Sequence, residues 1–142
     1  SHHQAILYFD GAYDIDHAKG GAGSSLVVND QEISCIAETI PFGSVNSCEY
    51  RALVNGKILA IRNNITHLHV RGDSALVLGL TQGLSSCSSQ EVLLIHAQSL
   101  QLDKHFHNIT YEKIERKDNQ RADQLAHAAA ISDERGQHYA LH

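Results

Sequence analysis

Residues 5–11 read Ala-Ile-Leu-Tyr-Phe-Asp-Gly, which is a run of five apolar residues followed by an acid and a glycine. An apolar run of this length, ended by a turn-forming residue, is typical of a central strand buried on both faces. The acid, Asp10, then lies where the buried strand reaches the surface, a common place for a catalytic group in a mixed sheet. Because Asp-Gly is also an ordinary turn signal, Asp10 is a candidate only in combination with other residues.

The composition indicates one soluble globular domain, residues 1–142, in which 42% of the residues are hydrophobic. No apolar run is long enough to span a membrane and no signal peptide is visible, so we expect neither a membrane partner nor secretion. The three cysteines are odd in number and widely spaced, which favours a reducing compartment, the cytoplasm or the nucleus. The net charge is −5, whereas a protein that holds nucleic acid by charge alone is basic. A phosphate substrate would therefore need metal ions between itself and the acids.

Both ends of the chain are expected to contribute little to the fold. The chain starts with Ser1-His2-His3 and contains no methionine, so residues 1–4 are interpreted as a tag remnant or a disordered segment. The domain could stand alone or be cut from a longer polyprotein. Residues 132–142 are polar and are predicted to form a flexible tail.

The predicted elements follow the order of three strands, a helix, a strand, two helices, a strand and a last helix. Their predicted ranges are 5–11, 24–28, 32–40, 46–60, 66–74, 75–82, 90–104, 109–115 and 119–130. The first three strands are close together in sequence and should form an antiparallel meander. The glycine cluster at 20–23 lacks the lysine of a P-loop and opens a strand, so it is interpreted as easing a twisted hairpin.

Three further acids occupy positions that resemble that of Asp10. Glu49 heads the apolar stripe of the first helix, although it also stands where a capping box with Asn46 would place a glutamate. Asp73 ends the strand 66–74, although it could instead cap the next helix. Asp123 flanks the apolar face of the last helix.

These four acids would crowd together if the first and fourth strands were neighbours at the centre of the sheet. Crowded carboxylates repel one another and retain protons without a counterion. Mg²⁺ relieves the repulsion because it takes oxygen ligands, and it keeps waters that can become nucleophiles. Two such ions on a phosphodiester stabilise both the attacking and the leaving oxygen. The pattern therefore predicts a two-metal site.

Two histidine pairs, His67 with His69 and His105 with His107, alternate as zinc ligands on a strand could. No cysteine pair or helical His-x-x-x-His completes a tetrahedral set. They are interpreted as solvated or partly buried side chains whose role stays open.

Four motifs carry a family resemblance over residues 8 to about 130. They are Tyr8-Phe9-Asp10-Gly11, Asn46-x-x-Glu49-Tyr50-x-Ala52-Leu53, Val70-x-Gly72-Asp73-Ser74 and Asn119-x-x-Ala122-Asp123-x-Leu125-Ala126. In this order and spacing the chain resembles ribonuclease H of the type found in cells and in retroelement reverse transcriptases. The resemblance implies an α/β ribonuclease H-like fold, with a five-stranded mixed sheet of three antiparallel and then two parallel strands, flanked by helices.

The resemblance also implies an activity, hydrolysis of the RNA strand of RNA–DNA hybrids with 5′-phosphate and 3′-hydroxyl products. Two Mg²⁺ ions, or Mn²⁺ as a substitute, would occupy the site of a monomeric enzyme. Asp10 would bridge both ions, Glu49 and Asp73 would complete one metal site, and Asp123 would belong to the other.

Substrate contacts are expected from residues in or beside these motifs. Gly11 and Asn46 are candidates for the contact with the RNA 2′-hydroxyl, and the motif residues Ser74 and Asn119 are expected to touch the substrate as well. Many relatives have a histidine in the loop before the last helix. Residues 115–118 contain none, so Arg116, which should end the last strand, is the candidate catalytic residue there. No basic protrusion is present between residues 83 and 90, so the grip on the substrate should be weak.

Two alternatives remain open from the sequence. One is a degenerate nucleic-acid-binding domain of the same fold, against which the presence of all four acids weighs. The other is a nuclease of the same fold that acts on DNA, against which the Val-x-Gly-Asp-Ser and Asn-x-x-Ala-Asp motifs weigh.

Overall fold

The computed structural model describes residues 4–41, 43–132 and 138–141. Short 3-10 turns cover Asp103–His105 and Arg116–Asp118. The helices and strands, in chain order, are β1 (Ala5–Asp14), β2 (Lys19–Val28), β3 (Gln31–Ile40), α1 (Val45–Arg62), β4 (His67–Gly72), α2 (Ala75–Thr81), α3 (Gln90–Leu102), β5 (Asn108–Lys113), α4 (Gln120–Ala130) and β6 (His138–Leu141).

The strands form one mixed sheet in the order β5-β4-β1-β2-β3-β6. β1, β2 and β3 pair antiparallel, whereas β4 runs parallel to β1 and β5 runs parallel to β4. This confirms the predicted five-stranded mixed sheet of three antiparallel and then two parallel strands.

A sixth strand, β6, extends the sheet beyond the prediction. It pairs antiparallel with β3, from Cys35 opposite Leu141 to Glu38 opposite His138. The prediction of a flexible tail is therefore wrong for residues 138–141. The rest of that tail from residue 133 onward, and residues 1–3 of the predicted tag remnant, lie outside the described residues.

Helices cover the two faces of the sheet unequally. The larger core lies between the sheet and α1, α2 and α3, and includes Leu7, Phe9 and Leu53, each of them fully buried. On the other face α4 packs against β1, β2 and β3 through small side chains such as Ala126 and Ala129. No helix in the described part of the chain is long and apolar enough to cross a membrane.

The glycine cluster lies inside β2, because β1 and β2 both extend into the stretch predicted to be a loop. A Cβ atom on Gly21 would lie 2.7 Å from the backbone nitrogen of Ala130, and one on Gly23 would lie 2.6 Å from that of Ala126. Real Cβ atoms do not approach backbone so closely, so these glycines let α4 pack directly on the sheet.

Polar contacts fix the position of α1 against the other helices. The buried hydroxyl of Tyr50 lies 2.8 Å from Thr81 Oγ1 and 2.5 Å from His96 Nδ1. About two turns further along α1, the side chain of Lys57 is fully buried. Its ammonium lies 2.7 Å from Asp103 Oδ1. Because a buried charge is costly unless it is paired, these contacts hold α1 in one orientation.

Candidate active site

Three acids, from β1, from α1 and from the turn after β4, meet at one side of the sheet. Asp10, Glu49 and Asp73 each offer a carboxylate oxygen, and these oxygens all lie within 4.8 Å of one another. Within residues 4–41, 43–132 and 138–141 this is the one group of three or more acidic, histidine or cysteine side chains close enough to share an ion. Asp10 is 4% exposed and Glu49 is 8% exposed.

Parallel pairing of β1 with β4 brings Asp10 and Asp73 together. Tyr8 lies opposite Arg71 in this ladder. Each acid follows its paired residue by two positions, so both carboxylates emerge at the same level of the sheet edge and on the same face.

Glu49 belongs to α1, which starts earlier than the sequence indicated. The helix is capped by Ser44, whose hydroxyl accepts from Ser47 N at 3.1 Å, while the Ser47 hydroxyl accepts from Ser44 N at 2.8 Å. The capping interpretation of Asn46 and Glu49 is therefore wrong, since both lie inside the helix. Glu49 stands in the second turn, where its carboxylate is free to face Asp10.

Gly11 lets α1 approach the end of β1. A Cβ atom on this glycine would lie 2.6 Å from the carbonyl carbon of Cys48 and 2.8 Å from Glu49 Cα. The absence of a side chain at Gly11 is thus explained by packing, and its contact with substrate stays a prediction.

Two motif residues hold other parts of the site in place. Ser74, and not Asp73, caps α2, because its Oγ accepts from Val77 N at 3.2 Å. Asn119 is 1% exposed, and its Nδ2 donates to the carbonyl of Phe9 at 2.9 Å. Its buried amide ties the start of α4 to β1, and its contact with the substrate stays a prediction.

Asp123 lies at the margin of the three-acid group. Its carboxyl shares a hydrogen bond with Asp10, but it is not among the three acids whose oxygens converge. Its Oδ1 lies 3.2 Å from His127 Nε2 and 4.0 Å from Arg116 Nη2. Sequence reasoning missed His127, although its spacing of four residues from Asp123 on a helix would have indicated the contact.

The two innermost carboxyls hold protons more tightly than usual. Burial, followed by the charges of Glu49 and Asp73 and the hydrogen bond with Asp123, raises the pKa of Asp10 to about 8. Burial, followed by the charge of Asp73, raises the pKa of Glu49 to about 8, although the Ser74 hydroxyl and the Arg116 charge oppose this. Without a cation the cluster therefore retains protons at neutral pH.

The donor set fits a hard divalent cation. All the converging ligand atoms are carboxylate oxygens, which Mg²⁺ and Mn²⁺ prefer. Glu49 Oε2 is buried and has no hydrogen-bond partner among the described residues. An unpartnered buried acceptor is costly, and a bound cation would satisfy it.

A cleft opens over the acids, and both a lysine and an arginine line it. Its lining comprises Asp10, Gly11, Val45, Glu49, Asp73, Lys113, Ile114, Glu115, Arg116 and Asp123. Arg116 lies in a 3-10 turn and does not end β5, which stops at Lys113, so that detail of the prediction is wrong. Its side chain is 77% exposed. Asn46 is exposed in the first turn of α1, next to Val45.

The histidine pairs take no part in this site. His69 Nδ1 lies 2.6 Å from Thr110 Oγ1, and its Nε2 lies 2.7 Å from Glu112 Oε1. The rings of His67 and His107 are 5.6 Å apart. Across the described ranges these histidines do not join any group of three ligand atoms.

Comparison with known proteins agrees with this geometry. A family model described as reverse transcriptase-like matches residues 8–129. No curated protein matches the chain.

Solved structures match over almost the whole chain. The N-terminal RNase H domain of Rv2228c from Mycobacterium tuberculosis is 26% identical with a TM-score of 0.85, over 90% of this chain and 94% of that one. RNase H1 from Halobacterium salinarum is 27% identical with a TM-score of 0.84, over 89% and 96%. LC11-RNase H1, from a compost metagenome and solved with an RNA/DNA hybrid, is 22% identical with a TM-score of 0.80, over 89% and 96%.

Proposed function

Because the chain belongs to the reverse transcriptase-like ribonuclease H family and is a ribonuclease H, we propose that it cleaves the RNA strand of RNA–DNA hybrids by a two-metal mechanism. The products would be a 5′-phosphate and a 3′-hydroxyl. One observation carries the proposal: the carboxylates of Asp10, Glu49 and Asp73 converge within 4.8 Å at the floor of an open cleft.

The four acids are proposed to coordinate two divalent cations. Asp10 is within reach of Glu49 and Asp73 and shares a hydrogen bond with Asp123, so it would contact both ions. Glu49 and Asp73 would complete one site and Asp123 the other. Magnesium or manganese bound there supplies charge neutralisation of the phosphate and activates water. The site lies within one chain, so we infer that a monomer suffices.

Arg116 is proposed to bind the scissile phosphate or the departing 5′-phosphate. Its guanidinium lines the cleft, is mostly exposed, and lies 4.0 Å from Asp123 Oδ1. Arginine stays protonated at neutral pH and cannot shuttle a proton. It would act through its charge and forked hydrogen bonds.

Asn46, Gly11 and Ser74 are proposed to face the substrate, with Asn46 and Gly11 at the RNA 2′-hydroxyl. Proteins distinguish RNA from DNA through this group, which a hybrid presents in a wide, shallow minor groove. Asn46 is exposed and Gly11 lines the cleft beside Asp10. The similar LC11-RNase H1 has been solved with an RNA/DNA hybrid, which supports the proposed substrate class.

The test is cleavage of labelled RNA–DNA hybrid, duplex DNA and duplex RNA, each with and without magnesium, with Asp10→Asn as the control protein. We expect cuts only in the RNA strand of the hybrid and only with metal, and a single deoxynucleotide on the 5′ side of a cut should suppress that cut. Binding without cleavage would indicate the degenerate domain. Equal cutting of duplex DNA would indicate the DNA nuclease.

A further inference from the structure

A lysine in the wall of the cleft, Lys113, has no ion pair or side-chain hydrogen bond with any residue that the structure describes. We propose that Lys113 binds a backbone phosphate of the RNA strand close to the cut and so anchors the hybrid over the acids. This inference rests on the proposed function, because it assumes that the cleft receives a nucleic acid.

The sheet places Lys113 on the same edge as the acids. Lys113 is the last residue of β5 and pairs with Gly72, the residue before Asp73. Neighbouring strands lie about 4.8 Å apart and β4 separates β5 from β1, so the end of β5 is on the order of 10 Å from Asp10 in β1. At a rise of about 3.4 Å per nucleotide, this distance corresponds to a phosphate about three nucleotides from the cut.

Strand alternation indicates that Lys113 faces the α1 side of the sheet. Side chains two residues apart point to the same face, so Lys113 shares a face with Tyr111. The Tyr111 ring lies on the α1 side, because Lys57 Nζ of that helix is 5.4 Å from its centre. Glu49 enters the site from this side, and Lys113 lines the cleft together with it.

The other cations around the cleft are already paired. Lys117 Nζ lies 3.6 Å from Glu115 Oε2, and Arg116 Nη2 lies 4.0 Å from Asp123 Oδ1. Arg71 Nε, on the face of the sheet opposite to Lys113, lies 2.9 Å from Glu112 Oε1. No ion pair or side-chain hydrogen bond involves Lys113 in the part of the chain that the structure describes. It can therefore take a phosphate without breaking an existing contact.

A lysine at this position would reduce the electrostatic repulsion between the acidic cleft and the phosphates of the substrate. The chain carries a net charge of −5, and five carboxylates line the cleft against one lysine and one arginine. The loop between α2 and α3 is short and rich in serine, so no basic protrusion grips the substrate from there. Lysine binds phosphate as a point charge, which suits a contact that holds the backbone of any sequence.

The experiment measures binding of the hybrid by fluorescence anisotropy at a series of monovalent salt concentrations. Calcium replaces magnesium so that cleavage is suppressed. Each phosphate contact contributes about 0.7 to 0.9 to the slope of log affinity against log salt. We expect Lys113→Ala to reduce the slope by that amount and to weaken binding about five- to eightfold at about 0.1 M salt. Lys113→Arg should retain most of the slope. The matched control is Lys117→Ala, which removes a neighbouring charge already paired with Glu115.

Steady-state kinetics of cleavage in magnesium distinguish a role of Lys113 in substrate binding from a role in the chemical step. Lys113→Ala should raise KM by a similar factor and leave kcat within about twofold, since the lysine is outside the acid cluster. Thermal melting and a second variant, Lys113→Gln, which keeps most of the side-chain stem, show whether any loss comes from misfolding.

The outcomes separate this inference from the proposed function. A wild-type protein that does not bind the hybrid refutes both. A wild-type protein that binds and cleaves, with an unchanged salt slope in Lys113→Ala and Lys113→Gln, refutes the lysine contact alone. An equal loss in Lys117→Ala also refutes it, because the effect would then be one of general charge.

Discussion

Replacing Asp10 with asparagine should abolish cleavage and, in chelator, stabilise the protein. The substitution keeps the shape of the side chain but removes one of the crowded carboxylates. Two unit charges about 5 Å apart repel by about 3 kcal/mol at an effective dielectric constant of 20. Without metal the buried acids avoid that repulsion only by retaining protons that the unfolded chain releases, which opposes folding, whereas with metal the ionised carboxylates hold the ions. Turnover should therefore fall by several orders of magnitude while metal-free stability rises.

The pH dependence of this gain follows from the raised pKa of Asp10. That pKa is about 8 in the folded protein against an ordinary value of 3.8. Between these values the folded state retains a proton that the unfolded state has released, so stability falls as pH rises. One such proton accounts for at most about 1.4 kcal/mol per pH unit. The difference in unfolding free energy between Asp10→Asn and wild type should thus widen by about 2 kcal/mol between about pH 5 and about pH 7.

Urea unfolding in chelator across this pH range measures the difference. The control is Glu115→Gln, which removes a carboxylate that lines the cleft but is 74% exposed and lies outside the three-acid group. Its curve should stay parallel to that of wild type. Saturating magnesium should reverse the order, because ligand binding to the folded state stabilises wild type more than the variant. Parallel pH curves for Asp10→Asn and wild type would refute the raised pKa of Asp10 that burial and the neighbouring acids cause.

Three further predictions follow from the same contacts. Chelator should abolish cleavage of the hybrid, and magnesium or manganese should restore it. Calcium should support hybrid binding better than cleavage. Full activity in chelator would contradict the metal requirement. Arg116→Ala should lower turnover much more than Lys117→Ala does, while metal binding is largely kept. Arg116→Lys should recover only part of the turnover, because the ammonium lacks the planar fork of the guanidinium. Equal, modest losses in Arg116→Ala and Lys117→Ala would mean that Arg116 acts only as one surface charge among several. Gly23→Ala should destabilise the fold by about 1 to 3 kcal/mol in urea unfolding, since the added methyl would meet the backbone of α4; unchanged stability would mean that α4 can move away at little cost.

The sequence alone determined the features that depend on local pattern. The apolar run before Asp10 marked the central strand, and the spacing of the motifs predicted the family, the mixed sheet and the four acids. The predictions of the central strand, the family and the mixed sheet are confirmed, because strand and helix periodicities are properties of short stretches, while the roles of the four acids stay predictions. The sequence did not separate a cap from a site ligand. Glu49 and Asp73 both matched capping positions, and serines that offered the same local signal took those roles instead.

Tertiary structure alone decided which groups meet. The pairing of Tyr8 with Arg71 sets Asp10 level with Asp73, and no local signal specifies that register. The burial of Asn119 under β1 and the pairing of β6 with β3 likewise depend on chain segments far apart in sequence. The role of the glycines in β2 is explained only by α4, which packs directly on them and lies about 100 residues away in the sequence. A sequence states what each segment can form, but contacts between distant segments are decided by packing of the whole chain, in which burial and sterics outweigh local preference.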